Sequence, residues 1–177
     1  MPDIRIKPLS ASPNIRASLN EMLIEAVAHG GSVSFMHPLS PETANDFWEK
    51  SLAAAARGER IILGAFDDDQ LVGTVTLVLD LAQNQPHRAE IVKMLTRLSH
   101  RGRGVAKALL HAAERAAIER GRWLLVLDTA ADEGAAGLYE RVGFQLSGVI
   151  PDYAYKPHGG LTGTMFYWKR LQDQVPA

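Results

Sequence analysis

The chain contains no cysteine. That absence excludes disulfide frameworks, thiolate metal sites of the zinc-finger kind and every thiol nucleophile within the chain. Chemistry has to come from carboxylates, histidines, hydroxyls or the backbone. No stretch reaches the roughly 20 apolar residues that span a bilayer. Met1 to Leu9 is too polar and too broken by proline to act as a secretory signal. A cytoplasmic location is therefore the expectation. Net charge is scarce as well: 19 Lys and Arg against 20 Asp and Glu leave -1. No global basic field exists to hold nucleic acid by counterion release, or an anionic membrane surface, so neither is expected as a partner. The 6 histidines show no metal-ligand spacing and no HExxH motif, so no metal is expected. Repeats, low-complexity runs and linkers rich in Gly, Ser or Pro are also missing.

What is present is an ordinary globular composition, 46% apolar and 22% charged over 177 residues. Such a length can bury roughly 70% of its unfolded surface as one domain, and residues 1–177 read as one. Short apolar stretches alternate with amphipathic ones. Ile4 and Ile6 alternate with polar residues as in an edge strand. Ser12-Pro13 and Ser40-Pro41 each read as an N-cap followed by proline at the first helical position. The helices behind them stop at Gly30-Gly31 and Gly58. Arg60–Phe66 and Leu71–Leu79 flank an acidic turn as a hairpin, and Ala89–Leu98 is a further strand. A helix from Gly104 to Arg120, a buried strand over Trp123–Asp128, a helix ending near Arg141, and strands over Phe144–Ile150 and Thr164–Arg170 follow. The order βααβββαβαββ predicts an α/β fold: a mixed, mostly antiparallel sheet of about seven strands with four helices on both faces.

Between the fourth strand and the third helix stands Ser99-His100-Arg101-Gly102-Arg103-Gly104-Val105-Ala106-Lys107. Two glycines let the backbone turn tightly and present N–H groups unobstructed by Cβ atoms. They open a helix, whose N-terminus attracts phosphate. Arg97, Arg101, Arg103 and Lys107 add positive charge, with no acid in residues 96–107. A pyrophosphate cradle is one reading. A Walker loop lacks its Gly-Lys-Ser/Thr, and a dinucleotide fingerprint lacks its third glycine, although Asp128 lies at a suitable distance for the latter. A plain helix-start turn with solvated arginines fits the glycine pair alone equally well.

The pattern Arg101-x-x-Gly104-x-Ala106, followed by Leu138-Tyr139-Glu140-Arg141-Val142-Gly143-Phe144, resembles the paired signature of the GNAT superfamily of N-acetyltransferases. The resemblance covers nearly the whole chain and implies acetyl-CoA as cosubstrate. Three more stretches, His29–Met36, Arg88-Ala89-Glu90 and Leu127-Asp128-Thr129, resemble the tabtoxin resistance subgroup of that superfamily. The likeness implies that the backbone of Met94, Leu95 and Thr96 pairs with the pantetheine arm. It implies that the N–H groups of Arg101, Gly102, Arg103, Gly104, Val105 and Ala106 hold the pyrophosphate. Glu90 and Asp128 become the bases that deprotonate the amine, and Tyr139 the acid that protonates the leaving thiolate. Many relatives carry Asn where this chain has Asp132, and an aspartate cannot donate that amide contact.

His29, Ser34 and Phe35 in the presumed substrate loop, and Tyr153 near the C-terminus, are candidate acceptor contacts. The stretch 126–140 holds four carboxylates and no base, which favours a cationic or zwitterionic acceptor. The expected activity is acetyl transfer to a primary amine of a small molecule, amino-acid-like or related to a β-lactam toxin, hence toxin or antibiotic resistance. Without cysteine the amine must attack acetyl-CoA directly. Acetylation of a protein N-terminus or lysine, and non-catalytic acyl-CoA sensing, are the alternatives. Homodimers are common in the superfamily, so a homodimer is one assembly the resemblance allows.

Overall fold

A computed structural model describes residues 4–132 and 134–171. Local chemistry sets the helices. In α1 (Pro13–Ala28) the Ser12 hydroxyl accepts the Ile15 N–H at 3.2 Å, and in α2 (Pro41–Ala56) Ser40 accepts that of Thr43 at 3.1 Å. Helix α3 (Val105–Glu119) differs: its N-cap is Gly104 at φ 80°, and no side chain caps its first turn. Helix α4 (Ala136–Arg141) is short and ends at Gly143, φ 91°.

The strands are β1 (Arg5–Pro8), β2 (Arg60–Asp67), β3 (Gln70–Val78), β4 (Arg88–Thr96), β5 (Leu124–Ala130), β6 (Gln145–Tyr155) and β7 (Leu161–Arg170). They form one seven-stranded sheet in the order β1-β2-β3-β4-β5-β7-β6. Every pairing is antiparallel except β4 with β5. Helices α1 and α2 cover Ile62, Phe66, Leu71 and Leu95 on one face; α3 covers Leu63, Val72, Val75 and Leu125 on the other. Alternation along each strand produces these two cores. The expected fold, element order included, is the observed one.

Two irregularities position the site. Strands β4 and β5 pair only from Arg88–Leu124 to Glu90–Val126, although β4 continues to Thr96 and β5 to Ala130. Beyond Glu90 the two strands part. Opposite β3, the register shifts between Thr74 and Thr76, where Lys93 adopts φ 52°. A β-bulge of this kind bends its strand and re-aims its side chains.

Element ends differ from expectation in places. Strand β4 stops at Thr96, and Leu98–His100 forms a 3-10 turn. Strand β6 extends past its expected end at Ile150 and takes in Tyr153. Strand β6 runs through Pro151 because it is an edge strand, where a missing N–H costs no ladder bond, and a bulge between Ile150 and Ala154 absorbs the irregularity.

Candidate active site

A cavity of about 790 Å³ lies at the end of β4, past the point where it leaves β5. Met94, Leu95 and Thr96 line one side of it; Arg101, Gly102, Gly104, Val105 and Ala106 line the end where α3 begins. These predicted cofactor residues are therefore brought together. Arg103 is exposed and stands outside the lining. At Gly102 (φ 73°) and Gly104 (φ 80°) a Cβ would meet nothing within 4 Å, so each opens onto free space. Lys107 and Arg141 add charge to the wall, and among the described residues no carboxylate lines it. An uncapped helix N-terminus, two open glycines and three cations form a donor set that fits a polyphosphate. His29 also lines this cavity, beside Gly30, Gly31 and Val33, with Nδ1 2.9 Å from the Glu25 carbonyl oxygen.

Arg97 belongs elsewhere. Its guanidinium donates to the Leu71 carbonyl at 2.9 Å and to Glu21 at 3.0 Å, and its side chain is 14% exposed. It ties β4 to α1 and adds nothing to the phosphate wall. His100 is buried too, bridging Ser99 and Asp67 at 2.8 and 3.2 Å.

Past the parting lies a second cluster. Ala89, Ile91, Leu125 and Leu127 face the α3 core, so alternation puts Glu90 and Asp128 together on the opposite face. Asp128 reaches solvent at its tip, yet burial of its walls raises its pKa above the ordinary aspartate value; Lys93 pulls it down and Glu90 pushes it further up. Glu90 is not free to act alone, because it accepts from Arg88 at 2.7 Å. Ser34, at φ 74°, accepts from Lys93 Nζ at 3.1 Å. Phe35 meets Phe47 edge-on at 5.4 Å, and Lys93 Nζ sits 5.9 and 5.5 Å from these two ring centroids. Ser34 and Phe35 thus adjoin the carboxylate cluster through Lys93. Tyr153 packs edge-on against Phe166 at 5.6 Å, and Phe166 pairs in register with Asp128. A shallow basin of about 540 Å³ extends from there over Leu124, Val126 and Trp168.

Lys93 is the residue that sequence reasoning missed. Its signal was a single charge in the otherwise apolar run Ile91–Leu95. Tyr139 is buried in the α3-side core, 6.0 Å from the Phe144 ring centroid and 5.9 Å from that of Tyr167. Its helix neighbours Leu138 and Arg141 reach the cavity. Asp132 accepts from Thr162 at 2.8 Å and Lys156 at 3.1 Å, contacts that hold its carboxyl below the ordinary range. Its oxygens bind the β6–β7 hairpin. Among the described residues no cluster of three His, Asp or Glu is disposed to hold a metal, and no helix is long and apolar enough to cross a membrane.

A sequence model described as the Acetyltransferase (GNAT) family matches residues 24–144. The chain belongs to that family. The GNAT match contains both the glycine loop and α4. Among curated GNAT relatives, streptothricin acetyltransferase of Escherichia coli is 33% identical over 107 residues, 59% of either chain. The aligned part thus spans less than two thirds of that relative. N-acetyltransferase YsnE of Bacillus subtilis, uncharacterised, is 33% identical over 147 residues, 81% of this chain and 87% of the other. An N-acetyltransferase structure from Staphylococcus aureus Mu50 superposes with TM-score 0.79 at 19% identity, covering 96% of this chain and 99% of that one. At that identity the likeness concerns the fold.

Proposed function

We propose that the chain is an acetyl-CoA-dependent N-acetyltransferase acting on a primary amine of a small molecule. The observation that carries this reading is a pair of chemically opposite sites placed along β4. Cations and uncapped N–H groups stand at α3, and carboxylates stand where β4 and β5 part. Acetyl-CoA supplies an activated acetyl group as a thioester.

The chain's residues divide the work. Gly102, Gly104, Val105 and Ala106 present backbone N–H groups to the pyrophosphate, with Arg101, Lys107 and Arg141 supplying charge; Arg103 adds to the local field from outside. Met94, Leu95 and Thr96 offer their backbone to the pantetheine arm and to the thioester oxygen, where preorganised N–H donors are a large catalytic term. Asp128 accepts a proton from the arriving ammonium. Its raised pKa makes it a better acceptor than an ordinary aspartate. Glu90, held by Arg88, acts through its field on Asp128. Tyr139, on the helix whose neighbouring residues reach the cavity, returns a proton to the thiolate; a thiol near 8.5 and a phenol near 10 exchange it without extreme tuning. Ser34, Phe35 and Tyr153 border the acceptor, and His29 stands where acceptor loop and cofactor cavity meet.

The streptothricin acetyltransferase relative supports a small-molecule acceptor. The motif likeness to tabtoxin resistance acetyltransferases supports an amino-acid-like or β-lactam-related one, and with it a resistance role. Thiol release from acetyl-CoA, measured against amino acids, aminoglycosides, polyamines and peptides, tests the proposal. A small amine is expected to give the highest kcat/KM. Peptide N-termini or lysines outperforming every small amine would redirect it to protein acetylation, and tight CoA binding without release to any of them would leave an acyl-CoA sensor.

A further inference from the structure

Arg88 is taken up by Glu90, whereas Lys93 stands beside the carboxylate cluster without such an ion pair among the described residues, and its backbone shows that the position is built. The bulge that re-aims β4 falls on this residue, in a left-handed conformation that a lysine adopts only under constraint. Its ammonium is held by the Ser34 hydroxyl at 3.1 Å and lies over two aromatic rings, Phe35 and Phe47. Ser34 is itself at positive φ, so both ends of the contact are conformationally special. Among the described residues no carboxylate stands within ion-pair distance of Lys93, while Asp128 acts on it electrostatically across the opening. Burial disfavours its charge, Asp128 favours it, and Arg60 opposes it. A half-buried ammonium with one hydroxyl partner retains donors for an anion.

We propose that Lys93 is a specificity-determining residue that reads a carboxylate on the acceptor, so that the acceptor is a zwitterion whose ammonium faces Asp128 and whose carboxylate faces Lys93. This rests on the N-acetyltransferase reading and narrows it. Carboxylates alone would suit a diamine or a polyamine equally well; a cation opposite them opposes a second positive charge and rewards a negative one. Discrimination of this kind is strong when mismatching leaves a partly desolvated charge unpaired.

The test compares matched pairs that differ only in the carboxylate: methionine, phenylalanine, threonine and lysine against their carboxamides, with 1,5-diaminopentane as the decarboxylated form of lysine. In the wild type at least one acid is expected to exceed its amide by tenfold or more in kcat/KM. Lys93→Met should reduce that acid-to-amide ratio at least tenfold, and Lys93→Glu should invert it. A purely structural Lys93 would lower both members of a pair together and leave the ratio unmoved. A second measurement does not depend on turnover. The CoA-saturated protein is expected to bind N-acetylmethionine at least tenfold more tightly than N-acetylmethioninamide by calorimetry, a preference that Lys93→Met removes. Equal binding of the two, or a wild type that prefers amides or 1,5-diaminopentane, overturns the proposal. Failure of every amine to release thiol, with the anion preference intact, instead strikes the acetyltransferase reading.

Discussion

The proposed mechanism concentrates its proton chemistry in one carboxyl group, that of Asp128. Burial lifts its pKa, Glu90 lifts it further and Lys93 lowers it, so each neighbour has a predictable sign. In the proposed mechanism activity requires the ionised base, so kcat/KM should fall as pH drops through the Asp128 pKa, above the ordinary value of 3.8. Glu90→Gln should move that acidic limb to lower pH and Lys93→Met to higher pH, as read from kcat/KM profiles on an uncharged-tail amine. Asp128→Asn should cost about 10²–10⁴ in kcat while acetyl-CoA affinity, measured by calorimetry, persists. The stability sign follows separately. A folded-state pKa above the unfolded one gives stability that is full below the unfolded pKa and lost as pH rises through the folded one. The ionised carboxylate therefore destabilises the fold at neutral pH. Asp128→Asn should melt at or above the wild-type temperature at pH 7, and a clear drop would show that Asp128 supports the fold instead. Lys93 was hidden in the sequence because its meaning depends on a bulge and on a loop some 60 residues earlier, contacts that no local pattern encodes.

The three longer helices start in two different ways, and the proposed function uses the difference. Serine hydroxyls satisfy the first turns of α1 and α2, whereas α3 is left to a glycine. That contrast could be read from sequence, since Ser12-Pro13 and Ser40-Pro41 are cap signals and Gly102-x-Gly104 is not. What could not be read was which arginines serve the loop. Arg97 has the same charge as Arg101, but only packing shows it turned to Glu21 and the Leu71 carbonyl. The ends of β6 were equally hidden, because Pro151 argues against a strand until the strand is known to be an edge. Paired variants separate the two helix starts. Ser12→Ala should lower stability by about 1 kcal/mol and leave acetyl-CoA affinity unmoved. Gly104→Val forces a β-branched residue to φ 80° and points its Cβ into the cradle. It should weaken acetyl-CoA binding at least tenfold by calorimetry. Wild-type affinity in that variant would contradict the placement of the pyrophosphate.

Across the whole molecule, a net charge of -1 conceals two opposite ends. The cationic end lies where α3 begins, and the acidic end lies where β4 and β5 part, with Lys93 set among its carboxylates. The chain order of strands and helices followed from hydrophobic periodicity and turn residues. The parting of β4 and β5 did not, since strand pairing is a long-range property. Ligand binding should couple the two cores that meet across this sheet. Acetyl-CoA at 100 times its Kd should stabilise the fold by about 2.7 kcal/mol, visible as a raised melting temperature, and Gly104→Val should at least halve that shift. The absence of cysteine closes an acetyl-thioenzyme route, and the proposed mechanism has the amine attack acetyl-CoA directly. Rapid quench of a single turnover with radiolabelled acetyl-CoA and the best small amine tests this most directly. All label should pass from acetyl-CoA to the acetamide with none on the protein at any time. Label that appears on the protein first, or thiol released without acetamide, would contradict it.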